Sequence, residues 1–242
     1  MLEAGLWGLV GGASLLVGAL LGLALDVSQR AIGVIMAFGS GVLISALAFE
    51  LTAEASVGGG TGPVVIGLGA GGLAFFLANL LVERRGGSKR KRSGGEQSEG
   101  SGTAIAIGAV MDGVPESVAI GASLIDGGGV GLAVVAAVFL SNLPESLAAA
   151  TGMQKAGFSS RRIIGLWSGV VVVSGLASLV GFGLLGGASP LILAGIQAFA
   201  AGAILAMLAD TMMPEAFENG GPVVGVVTVM GFAAAFVLST FE

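Results

Sequence analysis

The chain contains no cysteine, no histidine and no tyrosine, and only 10% of its 242 residues are charged. Without cysteine there is no disulfide framework and no thiolate metal site. Without histidine it lacks the usual zinc ligand and the usual proton shuttle of neutral pH. An average soluble domain is about a quarter charged, so this composition excludes an ordinary soluble enzyme. The glycine-rich runs lack the G-x-x-x-x-G-K-[ST] phosphate loop, and no nucleophile stands with a base. No enzymatic activity is expected.

What is present is apolar. Hydrophobic residues make up 55% of the chain, glycine contributes 45 residues, and mean hydropathy is +0.99. The apolar residues form long blocks, and about 20 residues of helix cross a hydrocarbon core of about 30 Å. Barrel strands would alternate polar and apolar positions, which these blocks do not. The expectation is an all-α polytopic membrane protein, one transmembrane domain over residues 1–242 set in a lipid bilayer. Eight transmembrane helices are expected, at roughly 5–25, 31–52, 62–82, 103–124, 130–152, 163–185, 191–213 and 222–241. Gly5 to Leu25 is too long for a signal-peptide core and has no basic residues before it. Glycine-rich turns separate the spans, as at Gly127-Gly128-Gly129, and a flexible basic loop is expected over residues 83–102.

All ten basic residues fall in three connections: Arg30; Arg84, Arg85, Lys89, Arg90, Lys91 and Arg92; and Lys155, Arg161 and Arg162. With the spans above, those connections share one side and the opposite loops carry no Lys or Arg. The positive-inside rule makes that side cytoplasmic and puts both termini outside, in a plasma (inner) membrane. The run Lys89–Arg92 is read as a topology anchor, and no nucleic acid partner is expected.

A repeat is visible as well. Ala37-Phe38-Gly39-Ser40-Gly41 returns as Ala198-Phe199-Ala200-Ala201-Gly202, and Leu47-Ala48 and Glu54-Ala55 return as Leu208-Ala209 and Glu215-Ala216. An even-numbered and an odd-numbered span sharing a pattern implies an inverted repeat, with helices 1–3 related to helices 6–8 around helices 4 and 5.

Ionisable residues at membrane depth each cost on the order of 2.5–3.5 kcal/mol on insertion scales. The fourth span reads Met111-Asp112-Gly113-Val114-Pro115-Glu116-Ser117, and the fifth Leu140-Ser141-Asn142-Leu143-Pro144-Glu145-Ser146. Asp112 and Glu116 share one helix face, as do Ser141 and Glu145, with Asn142 beside them. Each proline removes an amide donor and releases the carbonyl four residues earlier, that of Met111 or Leu140. If these helices pack side by side, three carboxylates converge with no Lys or Arg in any span to neutralise them. They then either protonate, serving as interhelical hydrogen bonds, or hold a cation. A divalent ion satisfies both the charge and the lone pairs. Glu50 and Glu54 near the outer end of the second span, and Asp210, Glu215 and Glu218 near the inner end of the seventh, are candidates for an acidic entrance and exit. Solvated helix-end acids are the alternative, and Glu50 and Asp210 are singled out. Gln197 reads as packing, and Trp7 and Trp167 as interface anchors.

On these residues the chain resembles the ZIP (Zrt/Irt-like) metal transporters. That family has eight spans, external termini, a basic loop after the third span and paired Pro-Glu motifs in spans four and five. Phe38-Gly39-Ser40-Gly41-Val42-Leu43 and Phe199 through Ala216 look like the family too. The resemblance implies metal ligands at Asp112, in the place of the family's histidine, at Glu116 and Glu145, with Asn142 and Ser141 assisting. Gly113 stands at an asparagine position, and the sixth span, Ile163 to Leu185, lacks an acid that relatives often carry. One metal site is therefore expected. An all-oxygen donor set suits manganese, with iron and zinc also in range. The implied activity is import of divalent metal ions into the cytoplasm by alternating access. The metal ion is the transported substrate, and no permanently bound cofactor is expected. Two alternatives stay open: a non-transporting relative that senses metal or assists assembly, and a proton or organic-cation carrier using the same acids. Small-residue faces such as Gly69-Ala70-Gly71-Gly72 leave open packing within one chain or in a homodimer.

Overall fold

The computed structural model describes residues 2–87, 102–125 and 131–240, and these are helical with no strand among them. The helices are α1 (Leu2–Ala24), α2 (Gln29–Ala46), α3 (Glu54–Gly59), α4 (Thr61–Val82), α5 (Gly102–Ser123), α6 (Leu132–Lys155), α7 (Ser160–Leu185), α8 (Pro190–Met207), α9 (Met213–Gly220) and α10 (Val224–Ser239). A π-helical segment, Leu47–Ala53, joins α2 to α3, and another, Leu208–Met212, joins α8 to α9. Starts follow local chemistry. The Ser28 hydroxyl accepts from the Ala31 amide at 3.2 Å, Ser159 caps α7 in the same way, and Pro190 opens α8 after Ser189.

Among the described residues seven helical stretches are long and apolar enough to cross a membrane. The molecule is thus a multi-pass helical membrane protein in outline. The last stretch, Pro190–Ser239, has 50 residues, and its run is turned at Gly221, whose φ of 69° is a left-handed value that glycine tolerates. Gly60, between α3 and α4, has a φ of 79°. Element ends fall within a few residues of expectation, except at the second and seventh spans, which extend through their π-helical segments to Gly59 and Gly220. Of the residues expected to form a loop over 83–102, Glu83–Gly87 continue α4 as a π-helical turn and Gly102 starts α5; the rest lie outside the described residues. Lys89–Arg92 and Gly127–Gly129 lie outside the described residues.

Helices in lipid satisfy their backbones internally, so association rests on close packing. Here glycine provides the contact. A Cβ at Gly71 would strike the Phe199 carbonyl, and one at Gly202 the Leu68 carbonyl, so α4 and α8 meet backbone to backbone. In the same way α2 and α10 meet where Gly41 faces the Thr228 carbonyl and Gly231 the Phe38 carbonyl. Gly71 thus packs within the chain, whereas Gly69 of the same small-residue face is exposed with open space around it.

Two groups of helices result. α1 packs on α6 and α7, and α5 on α7; α2, α3 and α4 pack with α8, α9 and α10. The groups touch mainly where α2 lies on α6 and α5 on α8. Polar threads cross between helices of the first group: Ser178 Oγ donates to the Ala4 carbonyl at 2.8 Å, and Thr151 Oγ1 to the Gly22 carbonyl at 3.3 Å. At one end a cluster of Leu15, Ala19, Ile105, Met153, Ile163 and Trp167 gathers the C-terminal part of α1 and α6 and the N-terminal part of α5 and α7. Lys155, Arg161 and Arg162 sit exposed at that end. Trp167 corrects an expectation: it is 1% exposed in this cluster rather than at an interface, and its indole N–H finds no partner among the described residues. Its ring area, filling the gap between four helices, outweighs the lost hydrogen bond.

The glycine contacts predict a paired outcome. Gly71→Ala should lower stability by about 1–3 kcal/mol through overpacking, while Gly69→Ala should be neutral or slightly stabilising. Thermal unfolding of the two purified variants in detergent checks this.

Candidate functional site

The two Pro-Glu-Ser motifs adopt the same local structure. Both helices continue through their prolines, Pro115 in α5 and Pro144 in α6. In α5 the Ser117 hydroxyl donates to the Gly113 carbonyl at 2.7 Å, and in α6 Ser146 donates to the Asn142 carbonyl at 2.8 Å. Each serine thus bonds back across the turn that holds the glutamate, a use of hydroxyls open to serine in an apolar helix. Ser141 donates to the Val138 carbonyl at 3.0 Å.

Every residue expected at the site is buried: Asp112 is 3% exposed, Glu116 1%, Ser141 1%, Asn142 4% and Glu145 3%. The described basic residues, Arg30, Arg84, Arg85, Lys155, Arg161 and Arg162, are all exposed at helix ends.

Placement is less compact than side-by-side packing would give. α5 lies chiefly on α7 and α8, and α6 chiefly on α1 and α2, with slight direct contact between α5 and α6. Among the described residues no three acidic side chains stand close enough together to enclose a metal ion. Asp112 and Glu116 form one carboxylate pair on α5, and Glu145, Asn142 and Ser141 lie together on α6.

The second group of helices sets how near α6 comes. A Cβ at Gly39 of α2 would lie 3.0 Å from both the Leu140 carbonyl oxygen and Ser141 Cα, so glycine there lets α2 rest on the α6 backbone beside the motif. On α1, Gly18 does the same against the Leu143 carbonyl and the Ser146 hydroxyl. These supports went unnoticed in the sequence, although glycine at Gly18 and Gly22, spaced by one helical turn, is the signal that carried them.

The helix-end acids separate. Glu50 is half-buried in its π-helical segment, and Glu54, Asp210 and Glu218 are exposed. Glu215 is the buried acid at its end, 3% exposed, where its Oε1 accepts from Asn219 Nδ2 at 2.9 Å. The sequence pointed to Asp210 instead, because Asp210 is deeper in the apolar run. Asp210 lies within the π-helical segment and is exposed, whereas Glu215 lies beyond it in α9 and is buried. Gln197 is buried, as packing requires.

Compared with models of known protein families the chain matches none, and no curated protein matches it either.

Carboxylates buried in an apolar protein are held at a cost to stability. Glu116→Gln and Glu145→Gln, which keep shape and remove charge, should each raise the melting temperature in chelator-treated detergent by a few degrees. A fall in melting temperature on either change, read by the same thermal scan, would instead mean that the carboxylate is held by fixed donors.

Proposed function

We propose that this protein carries divalent metal ions across a membrane and is a ZIP-like importer with one carboxylate-lined site. The observation that carries the reading is the duplicated motif. Asp112 and Glu116 on one helix and Glu145, Asn142 and Ser141 on another are buried with matching backbone geometry, while the described basic residues stay at the helix ends. A purely structural carboxylate has no need to occur twice with a released carbonyl beside it. The donors are oxygen throughout, which suits manganese and iron(II) and admits zinc.

The carrier mechanism draws on an inverted repeat and eight crossings. One interval along the chain relates Leu47 to Leu208, where both π-helical segments begin, and relates Gly60 to Gly221, the left-handed glycines. The same interval relates Gly41 to Gly202 and Phe38 to Phe199, which make corresponding contacts with α10 and α4. α4 and α8 run in the same direction, since Gly67 meets Gly195 and Gly71 meets Phe199 and Ala203. α2 and α10 do so as well, with Phe38 meeting Gly231 and Phe49 meeting Phe236. A 50-residue stretch would extend roughly 75 Å if straight, more than twice the hydrocarbon core, so Pro190–Ser239 is read as two crossings, giving eight. The basic helix ends then face the cytoplasm and both termini the outside.

In this reading the group α1, α5, α6 and α7 bears the acids and rocks against the group that α2, α4, α8 and α10 build. Among the described residues no three acids stand close enough to enclose one ion, so in this reading binding draws α5 and α6 together. A cation offsets the repulsion that otherwise keeps the carboxylates apart. Between the groups, Gly39 lets α2 rest directly on the α6 backbone beside the motif.

Uptake by proteoliposomes of manganese, iron(II), zinc, cadmium, magnesium and calcium tests the reading, with wild type beside Glu116→Ala and Glu145→Ala. Saturable uptake that falls at least about 100-fold in both variants is expected, since each removes a ligand required in every cycle. Absence of flux for every ion from folded, oriented protein would overturn it.

A further inference from the structure

The two groups of helices do not close everywhere along their seam. α4 of one group and α5 of the other have slight direct contact, and between them lies a cavity of about 200 Å³. Ala78, Leu81, Val82 and Arg85 line it from α4 and its π-helical turn, and Ile107 and Met111 line it from α5. The spacing explains the shape: each set recurs on one face of its helix, so the cavity is a slot that follows the helices. Leu81 and Ile107 are exposed beside it, which opens the slot to the outer, lipid-facing surface.

The slot is apolar except at one end. Arg85 is its only charged lining residue among the described residues, and it is exposed, with Arg84 next to it in the chain. Glu83, the nearest acid to Arg85 along the chain, is engaged by Asn79, whose Nδ2 donates to Glu83 Oε1 at 3.1 Å. A groove along α1 has the opposite sign: there Glu3 stands with Leu6, Trp7 and Val10. An apolar slot that ends in a cation on a lipid-facing surface complements a molecule with an apolar chain and an anionic head. In a bilayer that molecule is an anionic phospholipid. A free phosphate would meet Arg85 and leave the apolar slot unused. At the other end of the slot, Met111 directly precedes Asp112, and its carbonyl is the one that Pro115 deprives of a helical amide.

We propose that this cavity seats one anionic phospholipid, with an acyl chain against Ala78, Val82 and Met111 and its phosphate at Arg85. The lipid supplies the packing that α4 and α5 lack between themselves, and so joins the two groups of helices beside the first Pro-Glu-Ser motif. Binding follows from the membrane setting alone. Its effect on flux rests on the transport reading above, because a lipid that joins the groups restrains their relative movement.

The test titrates the purified protein in detergent with phosphatidylglycerol, with phosphatidylcholine of the same chains, or with glycerol phosphate, which has the head group and no chains. Native mass spectrometry reads binding, and thermal unfolding reads the stabilisation that a bound ligand gives. Phosphatidylglycerol should bind about fivefold tighter than phosphatidylcholine, the factor that one basic residue gives beside an anionic head group. Arg85→Ala should abolish that preference. Ala78→Phe, which fills the end of the slot away from Arg85, should weaken the binding of both lipids. Arg161→Ala removes another exposed charge, at the start of α7, and should leave both affinities unchanged. Equal affinity for the two lipids overturns the proposal, as does equal weakening by Arg85→Ala and Arg161→Ala, which reports general charge attraction. Stabilisation by glycerol phosphate alone, or unchanged lipid affinity in Ala78→Phe, overturns it too. Arg85 lies at an exposed helix end, so its variant decides the matter even where Ala78→Phe fails to fold. Absence of metal flux with the lipid preference intact overturns the transport reading and leaves the lipid site standing.

Discussion

Backbone-to-backbone contact at glycine is the interaction on which the rest of this structure depends. In an apolar solvent neither helix gains by hiding leucine from its surroundings, so helices associate where they can approach most closely. Gly71 on Phe199, Gly202 on Leu68, Gly41 on Thr228 and Gly231 on Phe38 tie α4 to α8 and α2 to α10. Gly18 and Gly22 tie α1 to α6, and Gly121 seats α5 on the Ser178 carbonyl of α7. Large apolar side chains such as Leu73, Phe76, Val172 and Leu176 are left on the outside, the reverse of a soluble core.

That packing decides where charge can be tolerated. Asp112, Glu116 and Glu145 are buried because α5 and α6 are enclosed by neighbours on several sides, whereas Asp210 is exposed within the π-helical segment that starts at Leu208. A π-helical turn adds one residue per turn and so shifts every following side chain around the axis. The related segment from Leu47 has Leu51 and Ala55 buried and Glu54 exposed, so the two segments share a π-helical start and differ in the burial of that acid.

Cost and use meet at the two Pro-Glu-Ser motifs. A proline within a helix and a carboxylate in an apolar interior are each unfavourable locally, and here both occur twice in the same order. Serine back-bonds at Ser117 and Ser146 restrain the turn around each glutamate. In this chain both departures from local rule coincide on α5 and α6.

Much of this was legible in the chain. Hydropathy alone marked the helices, because spanning segments need long unbroken apolar runs, and the motifs at Asp112–Ser117 and Ser141–Ser146 stood out because charge is scarce. Trp167 was misplaced, since amphipathic rings suit interfaces and cores equally and only the neighbours of α7 decide. Asp210 was preferred to Glu215 because depth in a run is visible in sequence while rotation about a helix axis through a π-helical segment is not. Composition and periodicity determined that the protein is helical, apolar and acidic at membrane depth, since those are properties of single segments. Which helices embrace, how far α5 stands from α6, and which acid turns inward were decided only by tertiary packing, because each depends on whether a glycine on one helix meets a carbonyl on another.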